Sequence, residues 1–372
     1  MLIGVPKEVK TQEYRVGLLP ASVREFIRSG HKVLVQTGAG ANVHATDEDY
    51  KAAGAEIAPD AATVFAKADM IIKVKEPQPQ ECAMLREGQI LFTYLHLAAD
   101  PVQAKGLIDS KSIAIAYETV TGAHGGLPLL APMSEVAGRM SIQVGSYFLQ
   151  KTQGGAGILI GGVPGVRPAS VAIIGGGIAG TNAAKMAVGM GANVTILERS
   201  LDRIRYLDDL FGSQATVLYS TADTVEQCVV NADLVIGSVL VPGAKAPKLV
   251  TRAMLKQMRP NSVVVDIAID QGGCLETSRP TTHDEPTYLD EGILHYCVTN
   301  MPGAVALTSA QALNNAVLPY ALELANKGWQ KALQDNKHLL NGLNVFHGKI
   351  THAEVAHDLE LEFSAPEQCL AA

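Results

Sequence analysis

Short apolar runs that are rich in β-branched residues alternate along this chain with stretches in which apolar residues recur at helical spacing. Runs that are apolar throughout suit strands that are buried on both faces of a sheet. The alternation of such strands with helices is typical of parallel sheets that helices cover on both sides. We therefore predict an α/β fold made of doubly wound parallel sheets.

The strand candidates form two series along the chain. Those of the first series are Leu2–Val5, Lys32–Gln36, Met70–Val74, Ile90–Tyr94 and Ile113–Tyr117. Those of the second series are Val171–Ile174, Asn193–Leu197, Thr216–Tyr219, Leu234–Ile236, Val263–Asp266 and His295–Val298. Helical stretches such as Ala21–Ser29 connect them. The two series predict two domains, a small doubly wound one and a fuller one after it.

Two long helical stretches separate these domains. Pro132–Gln153 lies between the two series, and Ala306–Asp335 follows the second and can carry the chain back to the first domain. We therefore expect a discontinuous first domain, residues 1–130 with 306–372, and a second domain, residues 131–305. The last segment, Gly342–Glu362, has the pattern of a short strand and an amphipathic helix.

Composition narrows the class of partner. The chain has 372 residues with a formal net charge of -7, and 47 % of the residues are hydrophobic. It therefore has no broad basic field that would attract nucleic acid or anionic lipid. The N-terminal segment lacks a basic region followed by a long apolar stretch, and residues 155–180, the most apolar later stretch, are interrupted by prolines and many glycines. We expect a cytoplasmic protein that binds small molecules and neither nucleic acid nor membrane.

The cysteine and histidine patterns do not indicate a metal or disulfide framework. The five cysteines are scattered and form no CxxC pair. His347, His352 and His357 are close together in the sequence but are not at a metal-chelating helical spacing. We therefore expect reduced thiols and no metal site.

The clearest motif is a GxGxxG turn between a strand and a helix. Gly175, Gly177 and Gly180 follow the strand Val171–Ile174, and a helical stretch that Gly191 can end comes after them. The first glycine permits a tight turn, the second lets the backbone approach a pyrophosphate, and the third allows the helix to pack closely on the strand. The helix N-terminus adds free N–H groups for the phosphates. This context predicts a Rossmann-type dinucleotide site.

Glu198 ends the next strand of the second series, where a carboxylate can accept hydrogen bonds from the two hydroxyls of a ribose. This position favours NAD over NADP. Arg199 keeps the alternative open, because a guanidinium can pair with the 2′-phosphate of NADP. The second domain is thus predicted to be an NAD domain.

Titratable side chains follow the strands of the first series: Arg15 after the first, Lys75 after the third, His96 after the fourth and Glu118 after the fifth. In parallel sheets these strand ends share one edge, where ligands bind. Arg15 offers a fork for a carboxylate, Lys75 offers a point charge, and His96 can exchange protons near neutral pH. Together they suit oxo-acid or amino-acid chemistry, although each alone could be a surface residue, a strand-end cation or a packed core histidine.

Asp270 lies just beyond the strand Val263–Asp266, close to where a nicotinamide would bind. Its carboxylate could orient water or a substrate amine, or it could only cap a turn. Thr299, Asn300 and Met301 give the last strand of the second series a similar polar end.

Several segments together resemble one known family. They are IGVPKEVKTQEYRVGLLP, IIKVKEPQPQE, LFTYLHLA, AIAYETV, APMSEVAGRMS, IIGGGIAG, VVVDIAIDQGG and VTNMPGAVALTSAQALNNA. Over nearly its whole length the sequence resembles the alanine dehydrogenases, which are akin to the NAD-binding component of proton-translocating transhydrogenase. The resemblance implies a Rossmann-like substrate domain, a Rossmann-type NAD domain, long connecting helices and a homohexamer.

The resemblance also implies NAD-dependent oxidative deamination of L-alanine to pyruvate and ammonium, and the reverse reaction, by hydride transfer through an imine. It implies that Arg15 and Lys75 bind the substrate, that His96 is the general acid and base, and that Asp270 assists when the imine is hydrated. The cofactor contacts that it implies, together with the glycine turn, are Ser134, Gly175, Gly177, Ile178, Ala179, Gly180, Glu198, Arg203, Ser220, Val239, Leu240, Ile267, Ala268, Ile269, Asp270, Arg279, Val298, Thr299, Asn300 and Met301. The family usually has Asp where this chain has Glu198, which keeps the acid but changes its reach.

Other functions compete with this one. Another imine-forming dehydrogenase, such as one of the saccharopine dehydrogenase type, would need a cleft for a larger amino acid. A nucleotide-binding subunit of transhydrogenase would have an Arg/Gln/Asp loop after APMSEVAG, where this chain has RMSIQVGS. A catalytically silent NAD sensor would not need Arg15, Lys75, His96 and Asp270. We therefore favour the alanine dehydrogenase reaction.

Overall fold

The computed structural model describes residues 1–239 and 246–371, and the chain forms two compact units. The first unit comprises Met1–Met133 and Val305–Ala372, and the second comprises Ser134–Ala304. The first unit is therefore built from both ends of the chain, and the second from one continuous segment.

The first part of the first unit alternates strands with helices. Its strands are β1 (Leu2–Val5), β2 (Lys32–Gln36), β3 (Glu56–Ala58), β4 (Met70–Ile72), β5 (Ile90–Thr93) and β6 (Ile113–Ala116). Its helices are α1 (Pro20–Arg28), α2 (Asp47–Ala52), α3 (Ala61–Lys67), α4 (Pro79–Cys82) and α5 (Pro101–Ser110). Short 3₁₀ helices cover Ala41–Val43, Leu97–Ala99 and Tyr117–Thr119.

The second unit alternates strands and helices in the same way. Its helices are α6 (Ala131–Phe148, which begins in the first unit), α7 (Ile178–Gly189), α8 (Leu201–Phe211), α9 (Ala222–Val230) and α10 (Arg252–Leu255). Its strands are β7 (Ser170–Ile174), β8 (Asn193–Glu198), β9 (Ala215–Tyr219), β10 (Leu234–Gly237), β11 (Val263–Asp266), β12 (Thr287–Asp290) and β13 (Ile293–Tyr296). Its 3₁₀ helices are Lys151–Gln153, Gly212–Gln214, Ile267–Gln271 and Met301–Val305.

The chain then completes the first unit. The elements of this part are α11 (Ala306–Lys327), α12 (Trp329–Asp335), α13 (Lys337–Leu340), β14 (Leu343–Phe346), β15 (Lys349–Ile350), α14 (Ala353–Asp358) and α15 (Pro366–Ala371). Among the helices of residues 1–239 and 246–371, none is both long enough and apolar enough to cross a bilayer.

The described residues of each unit form one sheet, which is parallel except at an edge. In the first unit the order is β15-β14-β6-β5-β4-β1-β2-β3, with β14 antiparallel to β6 and β15 antiparallel to β14. In the second unit the order is β12-β13-β11-β10-β7-β8-β9, with β12 antiparallel to β13. All the other pairs are parallel, so their carboxyl ends share one edge of each sheet.

Local sequence explains where these elements form. The run of valines in β11 is fully buried, as a strand covered on both faces requires. Helix α5 begins at Pro101, and the side chain of Asp100 accepts hydrogen bonds from the N–H groups of Val102 and Gln103. A proline in the first turn and an Asp before it together satisfy the free amides of a helix start.

The predicted fold class is confirmed, with several corrections. Among the described residues the first sheet has eight strands and the second seven, so the expectation of a smaller first domain is wrong. The predicted helix Ala306–Asp335 is broken at Gly328, which has a φ of 73°. The last strand of the second sheet covers Ile293–Tyr296, two residues earlier than predicted.

Candidate active site

The structure brings three of the predicted residues to one edge of the first sheet. The hydroxyl of Thr93, the last residue of β5, donates to the carbonyl of Lys75 over 3.0 Å. The Glu118 carboxylate, beyond β6, accepts hydrogen bonds from the N–H groups of Leu95 and His96, the latter over 2.6 Å. Lys75, His96 and Glu118 are therefore held together by contacts between neighbouring strand ends.

His96 combines a strained backbone with an accessible imidazole. Its φ of 50° and ψ of 38° lie in the left-handed region, which is unfavourable for residues other than glycine. The imidazole lies parallel to the ring of Tyr94, with 5.8 Å between the ring centroids, and its Nδ1 is 3.9 Å from Glu118 Oε1. The side chain is 47 % exposed, so it can exchange protons with a bound molecule.

Tyr94 provides a rigid support for this imidazole. Its hydroxyl donates to the carbonyl of Leu129 over 2.6 Å, and its ring meets Tyr117 edge to face. Burial raises the pKa of Tyr94, which keeps the hydroxyl protonated and able to donate this hydrogen bond.

Arg15 is buried and held by an acid that the sequence analysis did not identify. Its Nε and Nη2 donate to the two carboxylate oxygens of Glu13, over 2.7 and 2.6 Å, and its Nη1 contacts Met133 Sδ over 2.9 Å. Burial opposes ionisation of Glu13, but the Arg15 guanidinium outweighs it and holds the pKa of Glu13 below its usual value, with help from Lys75. The guanidinium is thereby fixed in one orientation.

A buried triad stabilises the segment that leads to Lys75. Lys73 Nζ donates to Glu8 over 3.0 Å and to Glu81 over 2.7 Å, and the side chains of all three residues are buried. Glu8 also accepts the N–H of Val74 over 2.7 Å. Burial raises the pKa of Glu8, and the Lys73 ammonium partly offsets this. The triad fixes the backbone directly before Lys75.

The glycine turn of the second unit has the geometry that the motif predicts. Gly175 has a φ of 98°, and a Cβ on Gly180 would lie 1.8 Å from the carbonyl oxygen of Gly175. A Cβ on Gly177, the N-cap of α7, would meet nothing within 4 Å. The turn therefore leaves open space beside a helix N-terminus, which fits the pyrophosphate of a dinucleotide.

Glu198 is placed at this turn. Its carboxylate accepts hydrogen bonds from the N–H groups of Gly176, Arg199 and Ser200 over 2.9, 2.7 and 2.9 Å. Arg203 lies beside it and donates to the carbonyl of Gly176 over 2.7 Å. Glu198 at the end of β8 and the glycine turn after β7 are thus joined by a direct hydrogen bond.

The remaining predicted cofactor residues of the second unit lie mainly at the carboxyl ends of its strands. Ser220 follows β9, Val239 follows β10, the run Ile267–Asp270 follows β11, and Val298, Thr299, Asn300 and Met301 follow β13. Ile178 and Ala179 begin α7, Ser134 lies in α6, and the Arg279 guanidinium stacks on Tyr288 at 3.9 Å from the ring centroid. Leu240 lies outside the described residues.

Ser238 is a further residue of this site that the sequence analysis missed. Its hydroxyl lies over the glycine turn, 2.9 Å from the carbonyl of Ile174 and 2.8 Å from that of Gly175. The signal for it in the sequence is its position two residues beyond the predicted strand Leu234–Ile236.

Across residues 1–239 and 246–371, no group of three or more His, Cys, Asp or Glu side chains could hold a metal ion. The charged residues at the edge of the first sheet offer carboxylate binding and proton exchange, and the glycine turn of the second unit offers dinucleotide binding. A protein with such a glycine turn, an acid at the next strand end and charged groups at a second sheet edge is a dinucleotide-dependent oxidoreductase of the doubly wound α/β class.

Comparison with known proteins identifies the family. Residues 4–137 match the model "Alanine dehydrogenase/PNT, N-terminal domain", and residues 141–353 match "Alanine dehydrogenase/PNT, C-terminal domain". The chain is 58 % identical over 363 residues to an alanine dehydrogenase of Halomonas elongata, which covers 98 % of both chains. It is 57 % identical over 371 residues to an alanine dehydrogenase of Methanococcus maripaludis, which covers 100 % of both. This chain belongs to the alanine dehydrogenase/PNT family.

Solved structures agree with this assignment. A structure of L-alanine dehydrogenase superposes with a TM-score of 0.93 at 51 % identity, over 97 % of this chain and 99 % of that chain. A transhydrogenase from Sinorhizobium meliloti superposes with a TM-score of 0.81 at 23 % identity, over 95 % and 99 % of the two chains. The second match shows a shared fold.

Proposed function

We propose that this chain catalyses the NAD-dependent oxidative deamination of L-alanine to pyruvate and ammonium, and the reverse reductive amination. The observation that carries the proposal is the charged edge of the first sheet, in a chain whose full-length relatives are named alanine dehydrogenases. Arg15, Lys75 and His96 supply the groups that a small amino acid or oxo acid needs.

Arg15 and Lys75 bind the substrate in this proposal. The Arg15 guanidinium pairs with the substrate carboxylate, and Glu13 fixes its orientation through Nε and Nη2. Lys75 adds a point charge for a carboxylate or carbonyl oxygen. Both residues lie in the first unit, and residues 1–130 with 306–372 accordingly form the substrate domain.

His96 and Asp270 move the protons in this proposal. His96 acts as the general acid and base, because its imidazole is exposed at the end of β5. Asp270 is an exposed carboxylate in the 3₁₀ helix Ile267–Gln271, where it can orient the water that hydrates the imine formed from L-alanine. The reaction has two steps, oxidation of the amine and hydration of the imine, and Asp270 acts in the second.

Residues 131–305 form the NAD domain in this proposal, and when bound, NAD supplies the acceptor for the hydride from Cα of the substrate. The open space at Gly177 takes the pyrophosphate, and Glu198 accepts the ribose hydroxyls. The Glu198 carboxylate also disfavours the added phosphate of NADP, because two negative charges repel each other.

We propose further that the enzyme works as a homohexamer in the cytoplasm. The family resemblance supports the hexamer, and light scattering of the purified protein tests it. The cysteines Cys82, Cys228, Cys274, Cys297 and Cys369 are all free thiols, which suits a reducing compartment.

The experiment that tests the reaction measures NADH formation at alkaline pH with L-alanine. Parallel reactions contain L-serine, glycine, L-lysine or L-glutamate, and a further one contains L-alanine with NADP⁺. We expect NADH from L-alanine with NAD⁺ and little product in the other reactions. Clear NADH binding without turnover of any amino acid would contradict the proposal.

A further inference from the structure

Asp266 is a buried acid that the reaction proposed above does not use. It is the last residue of β11, its relative exposure is 0 %, and it directly precedes the 3₁₀ helix Ile267–Gln271 that carries Asp270. A carboxylate loses its hydration when it is buried, so it persists only where other donors replace the water.

The donors come from both ends of one short segment. Asp266 Oδ1 accepts the N–H of Ala268 over 3.1 Å, and Oδ2 accepts the N–H of Cys274 over 2.8 Å. Oδ2 also accepts the hydroxyl of Ser278 over 2.5 Å, and the Cys274 thiol lies 3.7 Å from Oδ1. One carboxylate therefore holds the two ends of the segment 267–274 together by hydrogen bonds.

Two glycines make room for this carboxylate. A Cβ on Gly237 would lie 3.0 Å from Asp266 Oδ1 and 2.4 Å from Cys274 Sγ. A Cβ on Gly273, whose φ is 75°, would lie 2.5 Å from Oδ2. Burial raises the pKa of Asp266, and the hydrogen bonds from Ser278 and the backbone N–H groups oppose this rise. The surroundings are thus shaped around the acid and supply its donors.

We propose that Asp266 is a positioning residue for Asp270, and that its carboxylate fixes the segment 267–274 by accepting the backbone N–H groups of Ala268 and Cys274. The inference rests on the proposed function, because it takes Asp270 as a participant in catalysis. Asp270 itself is exposed and lies in a single turn of 3₁₀ helix, so its direction depends on the backbone beneath it.

Both carboxylate oxygens of Asp266 act as acceptors, so Asp266→Asn tests the role of these hydrogen bonds directly. Asn has nearly the same shape, but its amide presents N–H groups on one side. In one orientation the amide faces the N–H of Ala268, and in the other it faces the N–H of Cys274. Either way one end of the segment loses its partner.

We expect Asp266→Asn to lower kcat by about 100-fold, because displacement of a catalytic group by about 1 Å has effects of that size. KM for L-alanine should change by less than about threefold, since Arg15 and Lys75 are untouched. Ser278→Ala removes one donor and leaves both backbone hydrogen bonds, so it should lower kcat by only roughly fivefold. This milder variant also serves if Asp266→Asn does not fold.

Asp233 provides a matched control in the same unit. It is a buried acid that directly precedes β10, at the amino end of a strand of the same sheet. There it accepts the N–H of Ser170 over 3.0 Å and pairs with Arg259 over 2.6 Å. Asp233→Asn should lower the melting temperature as Asp266→Asn does, but leave kcat unchanged. An equal loss of kcat in both variants would reduce the role of Asp266 to general stability and overturn the proposal.

Two further measurements separate the positioning role from the proposed function. Backbone hydrogen exchange of the free protein should be faster at Ala268 and Cys274 in Asp266→Asn than in wild type or Asp233→Asn. In an Asp270→Asn background, Asp266→Asn should cause no further loss of kcat.

The outcomes are distinguishable. Wild-type exchange at Ala268 and Cys274, or a full additional loss of kcat in the Asp270→Asn background, would overturn the positioning role. Wild-type turnover by Asp270→Asn alone would instead remove Asp270 from the proposed reaction, and the exchange rates would still report whether Asp266 holds the segment.

Discussion

The strand-end edges of the two sheets are built by different means. At the edge of the first sheet, buried ion pairs hold the charged side chains, as in the pair of Lys73 with Glu8. At the edge of the second sheet, glycines let the backbone turn, and side chains such as that of Ser238 hold this backbone through hydrogen bonds. The arrangement of the first edge therefore depends on the balance of buried charges, and that of the second depends on the open space beside its glycines.

This difference decides how each edge should fail. Removal of one member of a buried ion pair leaves an uncompensated charge, which costs about 3–5 kcal/mol. Addition of a methyl group at an open glycine costs the fold little but fills the space that a ligand needs. The first edge should therefore lose stability and substrate affinity together, whereas the second can lose cofactor affinity alone.

The largest effect is expected from His96→Ala, which tests whether the two edges have separate tasks. Loss of a general acid and base lowers turnover by roughly a thousandfold or more, whereas NADH binding should be retained. His44→Ala is the matched control, because His44 is an exposed histidine in the same unit with a left-handed φ of 58°. Steady-state kinetics and NADH fluorescence measure both properties. Loss of NADH binding in His96→Ala would refute the separation.

Glu13→Gln should break the charge balance of the first edge. Arg15 would keep its charge but lose its bidentate partner, so the free energy of unfolding should fall by about 3 kcal/mol. KM for L-alanine should rise, because the guanidinium is no longer fixed. Glu25→Gln, which breaks an exposed pair with Arg28, should cost less than about 1 kcal/mol. Urea unfolding of both variants makes the comparison, and equal losses would contradict it.

The same pair predicts a pH dependence. The pKa of Glu13 is lowered in the folded protein, so its stabilisation is present above its ordinary value of 4.5 and is lost as the pH falls through the folded-state value. The stability difference between wild type and Glu13→Gln should therefore shrink as the pH is lowered below 4.5. A difference that stays constant down to acidic pH would show that charge is not the cause.

Gly177→Val should fill the open space of the second edge. The added side chain points where the pyrophosphate would lie, so NADH affinity should fall by about 100-fold, or ~2.7 kcal/mol. The melting temperature should stay close to that of wild type. Gly189→Val is the control, since Gly189 lies at the other end of the same helix and its Cβ would also meet nothing within 4 Å. Calorimetry measures affinity, and equal NADH binding by the two variants would remove Gly177 from the site.

The smallest effect is expected from Glu198→Ala. Loss of hydrogen bonds to the ribose should weaken NAD⁺ binding by about tenfold, and discrimination against NADP⁺ should fall because Arg199 remains. Glu226→Ala, an exposed acid of the same unit, is the control. Unchanged affinity for NAD⁺ would remove Glu198 from the ribose site.

The sequence was sufficient where structure is local. Strands β1, β2 and β11 were predicted with their observed ends, because each is a short apolar run. Strand β3 was missed because it has three residues, of which only Ala58 is buried. The prediction for strand β13 begins two residues too late, because His295 has the polar character of a strand start. In the structure His295 is fully buried, with Nε2 close to Thr277 and Nδ1 close to the carbonyl of Ile293.

The same limit applies to the site. The glycine turn was read from consecutive residues, and its geometry follows from them. Glu13 and Glu81 are not among the predicted site residues, although they lie only two and eight residues from their partners Arg15 and Lys73. Nothing in the local pattern shows that these pairs are buried, because their burial depends on the elements that pack around them.

The antiparallel strand β14 affects how the chain can be made. Leu343 pairs with Ile115 of β6, and the ribosome synthesises the whole of Ser134–Ala304 between these two partners. The second unit is continuous and can fold as it emerges, whereas β6 waits as an open apolar edge for a time on the order of ten seconds or more at ordinary translation rates. Open edge strands are templates for aggregation. During synthesis, β6 therefore stays without its β14 partner until the end of the chain has been made.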